Sequence, residues 1–241
     1  MTFHRTIAGV MGVTLGFGLS LSASAQDSVL SAVSVRVNPG QMDTYMARVE
    51  KLAGVMDRLD VGASIEAWQV TAAGPATGAT LVVLEYPSLT AYAENATKTE
   101  GDEEFRKLMS GLDGLRKLQS SSLYRQIGGP GREGDVPTGS ILQTVAVRVE
   151  PGRLDDYVAK IGDLQKISKR LGSSGTTRVW QATAAGESTG TVVVGVIYKD
   201  LATYAEDSAK AQDDAEWQKL VSGLSDMRTI VSMSLARNVG P

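Results

Sequence analysis

The octapeptide Val33-Ser-Val-Arg-Val-Asn-Pro-Gly40 returns as Val145-Ala-Val-Arg-Val-Glu-Pro-Gly152, at an offset of 145 − 33 = 112 residues. The same offset relates Trp68-Gln69 to Trp180-Gln181, Thr71–Gly74 to Thr183–Gly186, Tyr92-Ala93-Glu94 to Tyr204-Ala205-Glu206, and Ser110-Gly111-Leu112 to Ser222-Gly223-Leu224. No gap is needed anywhere. A repeat this long, occurring twice, is too long and too few for a solenoid and predicts two copies of one folding unit paired about a pseudo-two-fold axis.

Each copy reads the same way. Val33, Val35 and Val37 alternate along a half-buried strand, and Asn38-Pro39-Gly40 turns the chain into a helix over about 41–59. Met42, Tyr45, Met46, Val49, Leu52 and Met56 share one face of that helix. Residues 65–73 and 80–86 form two strands joined by a Gly-bounded hairpin. A helical region follows over about 88–115, broken near Gly101 in the first copy, and a fourth strand spans 120–126. The order β-α-β-β-α-β is the ferredoxin-like arrangement. Its sheet carries both helices on one face and leaves the other bare, and the second unit's sheet is the natural cover. The predicted fold class is therefore α+β, with two tandem ferredoxin-like units packed sheet to sheet. The units span 26–127 and 141–241. Residues 128–140 contain Gly-Gly-Pro-Gly and read as a flexible linker, able to reach about 40 Å when extended.

Residues 1–25 read as a cleavable signal peptide. Arg5 supplies a basic start, residues 7–21 are apolar and uncharged, and Ala23-Ser24-Ala25 is a small-residue cleavage site, so the mature chain is expected to begin at Gln26. The apolar run is short of the ~20 residues needed to span a bilayer, so stable membrane insertion is not expected after cleavage. The expected location is periplasmic or secreted.

The absences constrain chemistry. The chain has no Cys, and its single His is His4, inside the leader. Thiolate chemistry, Ser-His-Asp catalysis and Cys or His metal ligation are excluded from the mature chain, and no metal or cofactor is expected. A net charge of −3 is too mild to suggest a nucleic-acid or polybasic membrane surface, so no nucleic-acid partner is expected.

The strand and helix junctions resemble those of the dimeric α/β-barrel superfamily. The Val-Arg-Val-Asn/Glu-Pro-Gly opening, the Trp-Gln strand, the Thr-Gly hairpin and the segments Tyr86–Ala93 and Tyr198–Ala205 carry the likeness, which is greatest to antibiotic-biosynthesis-monooxygenase-type and NIPSNAP-type domains. The resemblance implies a barrel formed here within one chain, hence a monomer. It brings in cofactor-independent monooxygenases, isomerases and haem-degrading enzymes as relatives. The last commonly ligate iron through His, which this chain lacks beyond His4.

Paired positions kept by both copies supply the candidate ligand-binding residues. Arg36 and Arg148, out of phase with the valines, are either cations for an anionic ligand or arginines paired with carboxylates or water. Trp68 and Trp180, each followed by Gln69 or Gln181, are either an aromatic wall with an amide or core tryptophans. Tyr86 and Tyr198 carry the same two readings. Arg125 and Arg237 recur on the last strand. Glu85 stands opposite Ile197 in the alignment, an asymmetry that fits either one specialised half-site or a drifted position. Asp102, Glu103 and Glu104 suit a helix start. No catalytic residues are assigned. Two functions stay open: a module, binding a small apolar or anionic molecule or serving a structural role, and a cofactor-independent monooxygenase or isomerase acting on a hydrophobic substrate between the sheets.

Overall fold

The computed structural model describes residues 28–132 and 134–241; the leader read from residues 1–25 lies outside them. The first copy comprises β1 (Val29–Val37), α1 (Met42–Arg58), β2 (Ser64–Ala72), β3 (Thr80–Tyr86), α2 (Leu89–Gly101), α3 (Glu103–Leu112) and β4 (Arg116–Gly128). The second comprises β5 (Ile141–Val149), α4 (Leu154–Arg170), β6 (Thr176–Ala184), β7 (Val192–Tyr198), α5 (Leu201–Asp213), α6 (Ala215–Ser222) and β8 (Arg228–Gly240). Both copies thus have the βαββαβ order.

The helical region after β3 is two helices in both copies, not in the first alone. Asp102 accepts a hydrogen bond from the Phe105 amide at 2.8 Å, and Asp214 accepts one from the Trp217 amide at 2.9 Å. Each aspartate therefore caps the shorter helix that follows it. Arg58 reaches Asp102 at 2.9 Å, and Arg170 reaches Asp214 at 3.0 Å, so each first helix is tied to its cap by the same ion pair. The Phe105 amide first and Arg58 second hold the Asp102 carboxyl below its usual range. β4 begins at Arg116, earlier than the 120–126 expected: its polar Arg-Lys-Leu-Gln-Ser start lacks strand alternation but pairs with the end of β1 beyond a β-bulge at Gln119.

All eight strands close into one barrel, in the order β1-β3-β2-β8-β5-β7-β6-β4. Each copy contributes a four-stranded sheet, and the sheets join edge to edge through β2–β8 and β4–β6. The joining strands leave no open sheet edge along these two seams, which removes an aggregation liability. Every neighbouring pair is antiparallel, so β2 and β6 run the same way and the pseudo-two-fold lies along the barrel axis. Equivalent ends of the two copies therefore share one mouth of the barrel.

Strand alternation divides the core in two. Outward-facing Val35, Ala67 and Val82 pack on Tyr45, Val49, Leu52 and Leu112, and the second copy repeats this with Val147, Val179, Val192, Tyr157, Ile161 and Leu224. Inward-facing Ala32, Trp68, Val83 and Ala236 form the barrel's own core. Gly40 and Gly152, with φ of 74° and 78°, make the strand-to-helix turns in a backbone conformation that disfavours other residues, which accounts for their place in the repeat.

Candidate functional site in the barrel

A cavity of about 790 Å³ runs from the barrel interior, where Trp68 and Trp180 border it, out through one mouth to Gln165 and Lys169 of α4. Space arises because several inward positions are small: Ala32, Ala146 and Gly195 all line it. One substitution between the copies adds room: Val83 becomes Gly195, which lines the cavity.

The charged residues that line the cavity are gathered at one mouth. Leu30 pairs with Glu85 and with Tyr124, and Ser64 also pairs with Glu85, so the starts of β1 and β2 meet the ends of β3 and β4 there. By the pseudo-symmetry the start of β6 is beside them. This places Glu66, Glu85, Gln126 and Arg178 together, all buried. Both Glu85 carboxylate oxygens accept from Arg178, one of them from Nη1 at 2.8 Å. Arg178 Nη2 also donates to Gln126 Oε1 at 2.7 Å, and the guanidinium carbon lies 4.4 Å from the centre of the Trp180 ring. This forked, aromatic-stacked geometry suits arginine and not lysine. Glu66 accepts from Trp68 Nε1 at 2.9 Å and from Arg132 Nη1 at 2.5 Å.

The linker is part of this wall. Pro130, Arg132, Val136 and Pro137 line the cavity, and Val136 packs on the interior cluster. Gln126 Nε2 donates to the Pro130 carbonyl at 2.7 Å. Gly139 N–H donates to the Asn238 carbonyl at 2.9 Å. Gly129 lets the chain cross β6. Its φ is +85°, and a Cβ there would collide with the Thr177 carbonyl oxygen.

The residues singled out from the repeat fall in different places. Trp68 and Trp180 stand on the cavity wall. Gln69 and Gln181 do not line it; each follows its tryptophan by one residue, which turns it to the other face of the strand. Arg36 and Arg148 are exposed at the opposite mouth, where Arg36 pairs with Lys117 across the sheet and donates to the Pro75 carbonyl at 3.3 Å. Arg125 and Arg237 are exposed at the linker end and do not converge with them. Tyr86 lies on the helix side, buried against Met56 and Val61, with its hydroxyl accepting from Asn95 Nδ2 at 2.8 Å. Tyr198 donates to Gln143 Oε1 at 3.4 Å and borders both the barrel cavity and a second cavity of about 440 Å³ between β5, β7 and helices α4–α6. Burial pushes both phenols up to about 12.

Glu66 and Arg178 were not picked out by repetition because they are where the copies differ: they occupy the same aligned position with opposite charge. Glu85 against Ile197 is the second such difference. Divergence between the copies, set beside strand phase, was the available signal. Among the described residues there is no cluster of acidic, His or Cys side chains arranged to hold a metal ion.

No protein-family model matches this sequence, and no curated protein matches it. Solved structures share its fold. A proposed monooxygenase from Fusobacterium nucleatum aligns with a TM-score of 0.59 at 12% identity, over 89% of this chain and 95% of that one. A proposed monooxygenase from Lactobacillus acidophilus gives 0.60 at 7% identity, over 88% and 93%. An anthrone oxidase-like protein gives 0.52 at 15% identity, over 90% and 96%. At such identities the likeness is one of architecture. The protein is an α+β barrel of two ferredoxin-like halves, the dimeric α/β-barrel fold. Here a single chain supplies both halves.

Proposed function

We propose that this protein binds a small, largely apolar molecule inside its barrel. One observation carries the reading: the barrel is closed by hydrogen bonds yet keeps a cavity lined by two tryptophans, about 790 Å³ with the part that opens at one mouth, and its charged groups are confined to that mouth. That size lies within the roughly 300–1,000 Å³ of small-molecule sites, which combine apolar walls with a few placed polar groups. The experiment is titration with an uncharged solvatochromic dye such as Nile red, followed by dye emission and tryptophan quenching. Saturable binding is expected, and it should weaken at least about tenfold in Gly195→Val, which restores the first copy's bulk inside the cavity. Saturable binding unaffected by that substitution would place the ligand elsewhere and sink the proposal.

A second reading uses the same cavity for turnover of a hydrophobic substrate, as a cofactor-independent monooxygenase or isomerase. It is supported by Glu66, a buried carboxylate on the cavity wall, and by the fold shared with proposed monooxygenases. Glu66 could take a proton only after exchanging its bond to Arg132 for one to substrate. Loss of turnover in Glu66→Gln with binding retained is the expected result; unchanged turnover would remove Glu66 as the base.

Action outside the cytoplasm, as a monomer, completes the proposal. The basic, apolar and Ala-Ser-Ala segments of residues 1–25 support export, and no helix among the described residues is long and apolar enough to cross a membrane. Intact mass of the exported protein should correspond to a start at Gln26. Light scattering should return the mass of one chain.

A further inference from the structure

Resting on the barrel cavity as the ligand site, we propose that Glu85 is a specificity-determining residue that makes this cavity select an uncharged ring system over its anionic analogue. Arg178 alone would make the opposite choice. A buried guanidinium stacked on Trp180 is a strong, forked receptor for a carboxylate. Glu85 already occupies that fork, with both oxygens on both terminal nitrogens of Arg178. An incoming carboxylate would have to share Arg178 with a buried like charge, or displace a side chain anchored on the sheet.

The remaining charges lead the same way. Glu66 is held by Arg132, so the mouth carries two carboxylates matched by two guanidiniums and offers an anion no net attraction. Lys169, Lys199 and Asp135 lie on the rim and are exposed, where water and salt screen them. Deeper in, the walls are Leu81, Val193 and the tryptophans, with the Thr144 hydroxyl as a polar point, hydrogen-bonded to Ser234 at 2.6 Å. An anion passing the mouth would exchange its hydration for apolar walls with no cation and only the Thr144 and Ser232 hydroxyls to meet it. The asymmetry between copies fits this role. The second copy has Ile197 where the first has Glu85, and the first has Glu66 where the second has Arg178, so the carboxylate that neutralises Arg178 comes from the other half of the barrel.

The test compares 2-naphthol with 2-naphthoate near neutral pH, where only the second is ionised, using tryptophan quenching and calorimetry on the whole protein. Wild type is expected to bind naphthol at least about tenfold more tightly than naphthoate. Glu85→Gln keeps the shape and one acceptor but frees the Arg178 charge, and it should move the ratio at least about tenfold toward naphthoate. A purely structural role for Glu85 would weaken both probes together and leave the ratio unchanged, which overturns the proposal. Naphthoate binding as tightly as naphthol to wild type overturns it without reference to any variant. If neither probe nor Nile red binds, the cavity itself is not a ligand site, a failure distinct from equal binding of the two.

Discussion

Glu85 on β3 of the first copy and Arg178 on β6 of the second form a buried, two-point ion pair, with Arg178 Nη1 2.8 Å from Glu85 Oε2. The strands that carry them are not neighbours in the barrel order. The contact therefore crosses the barrel interior and ties one half to the other at the linker end. Removing one partner should cost more than the pair itself contributes, because the remaining charge stays buried. Glu85→Ala is expected to lose about 3–5 kcal/mol of unfolding free energy in urea. Replacing both partners with apolar residues, Glu85→Leu with Arg178→Met, should recover most of that loss, and a double-mutant cycle measures the coupling.

Arg132 is the linker's polar anchor, 2.5 Å from Glu66 Oε1 at the mouth of the cavity. Arg132→Ala should speed both entry and exit of a bound probe in stopped-flow measurements. Its equilibrium affinity should change less than either rate, since the deeper apolar walls are untouched. An unchanged rate would mean that ligands enter by another route.

Gly129 has both a positive φ and no room for a side chain, whereas Gly134, with φ of 68°, has no atom within contact distance of an added Cβ. Gly129→Ala should therefore destabilise the protein by more than about 1 kcal/mol and clearly more than Gly134→Ala does. Equal effects would show that the linker does not need to press against β6.

Tyr86 and Tyr198 link stability to alkaline pH. Their phenols ionise near 10 when free but only at about 12 in the folded chain, because burial disfavours phenolate. The folded state thus holds protons that the unfolded state gives up. This stabilisation is complete below pH 10 and is lost as pH rises from 10 through 12. Thermal midpoints should fall over that window, with tyrosinate absorbance rising alongside unfolding. Tyr86→Phe with Tyr198→Phe should flatten the fall without abolishing it, since burial also raises Tyr45 and Tyr157.

Much of the fold is legible in the residues themselves. Val33, Val35 and Val37 declare a strand with one apolar face. Tyr45, Val49, Leu52 and Met56 declare the helix that covers it, and Pro39-Gly40 declares the turn between them. These signals are local: they depend on strand and helix periodicity and on glycine's access to positive φ. The helix break at Asp102 is also local, though its capping role emerges only when the aspartate is read with the Phe105 amide three residues on. The placement of Arg36 was harder to read. Strand phase sets it apart from the valines, but its distance from the charged mouth depends on where the barrel ends.

By itself the sequence determined that one βαββαβ unit occurs twice, which faces of its elements are apolar, and that histidine and cysteine chemistry is closed to the chain beyond His4. Only the tertiary structure decided that the two sheets join at both edges into one closed barrel. It likewise decided that Glu85 meets Arg178, that Glu66 meets a linker arginine, and that the space between Trp68 and Trp180 stays open. The physical reason is range. Periodicity, capping and turn chemistry act over a few residues, while these contacts join positions 66 and 93 residues apart, whose meeting is set by strand register and barrel closure.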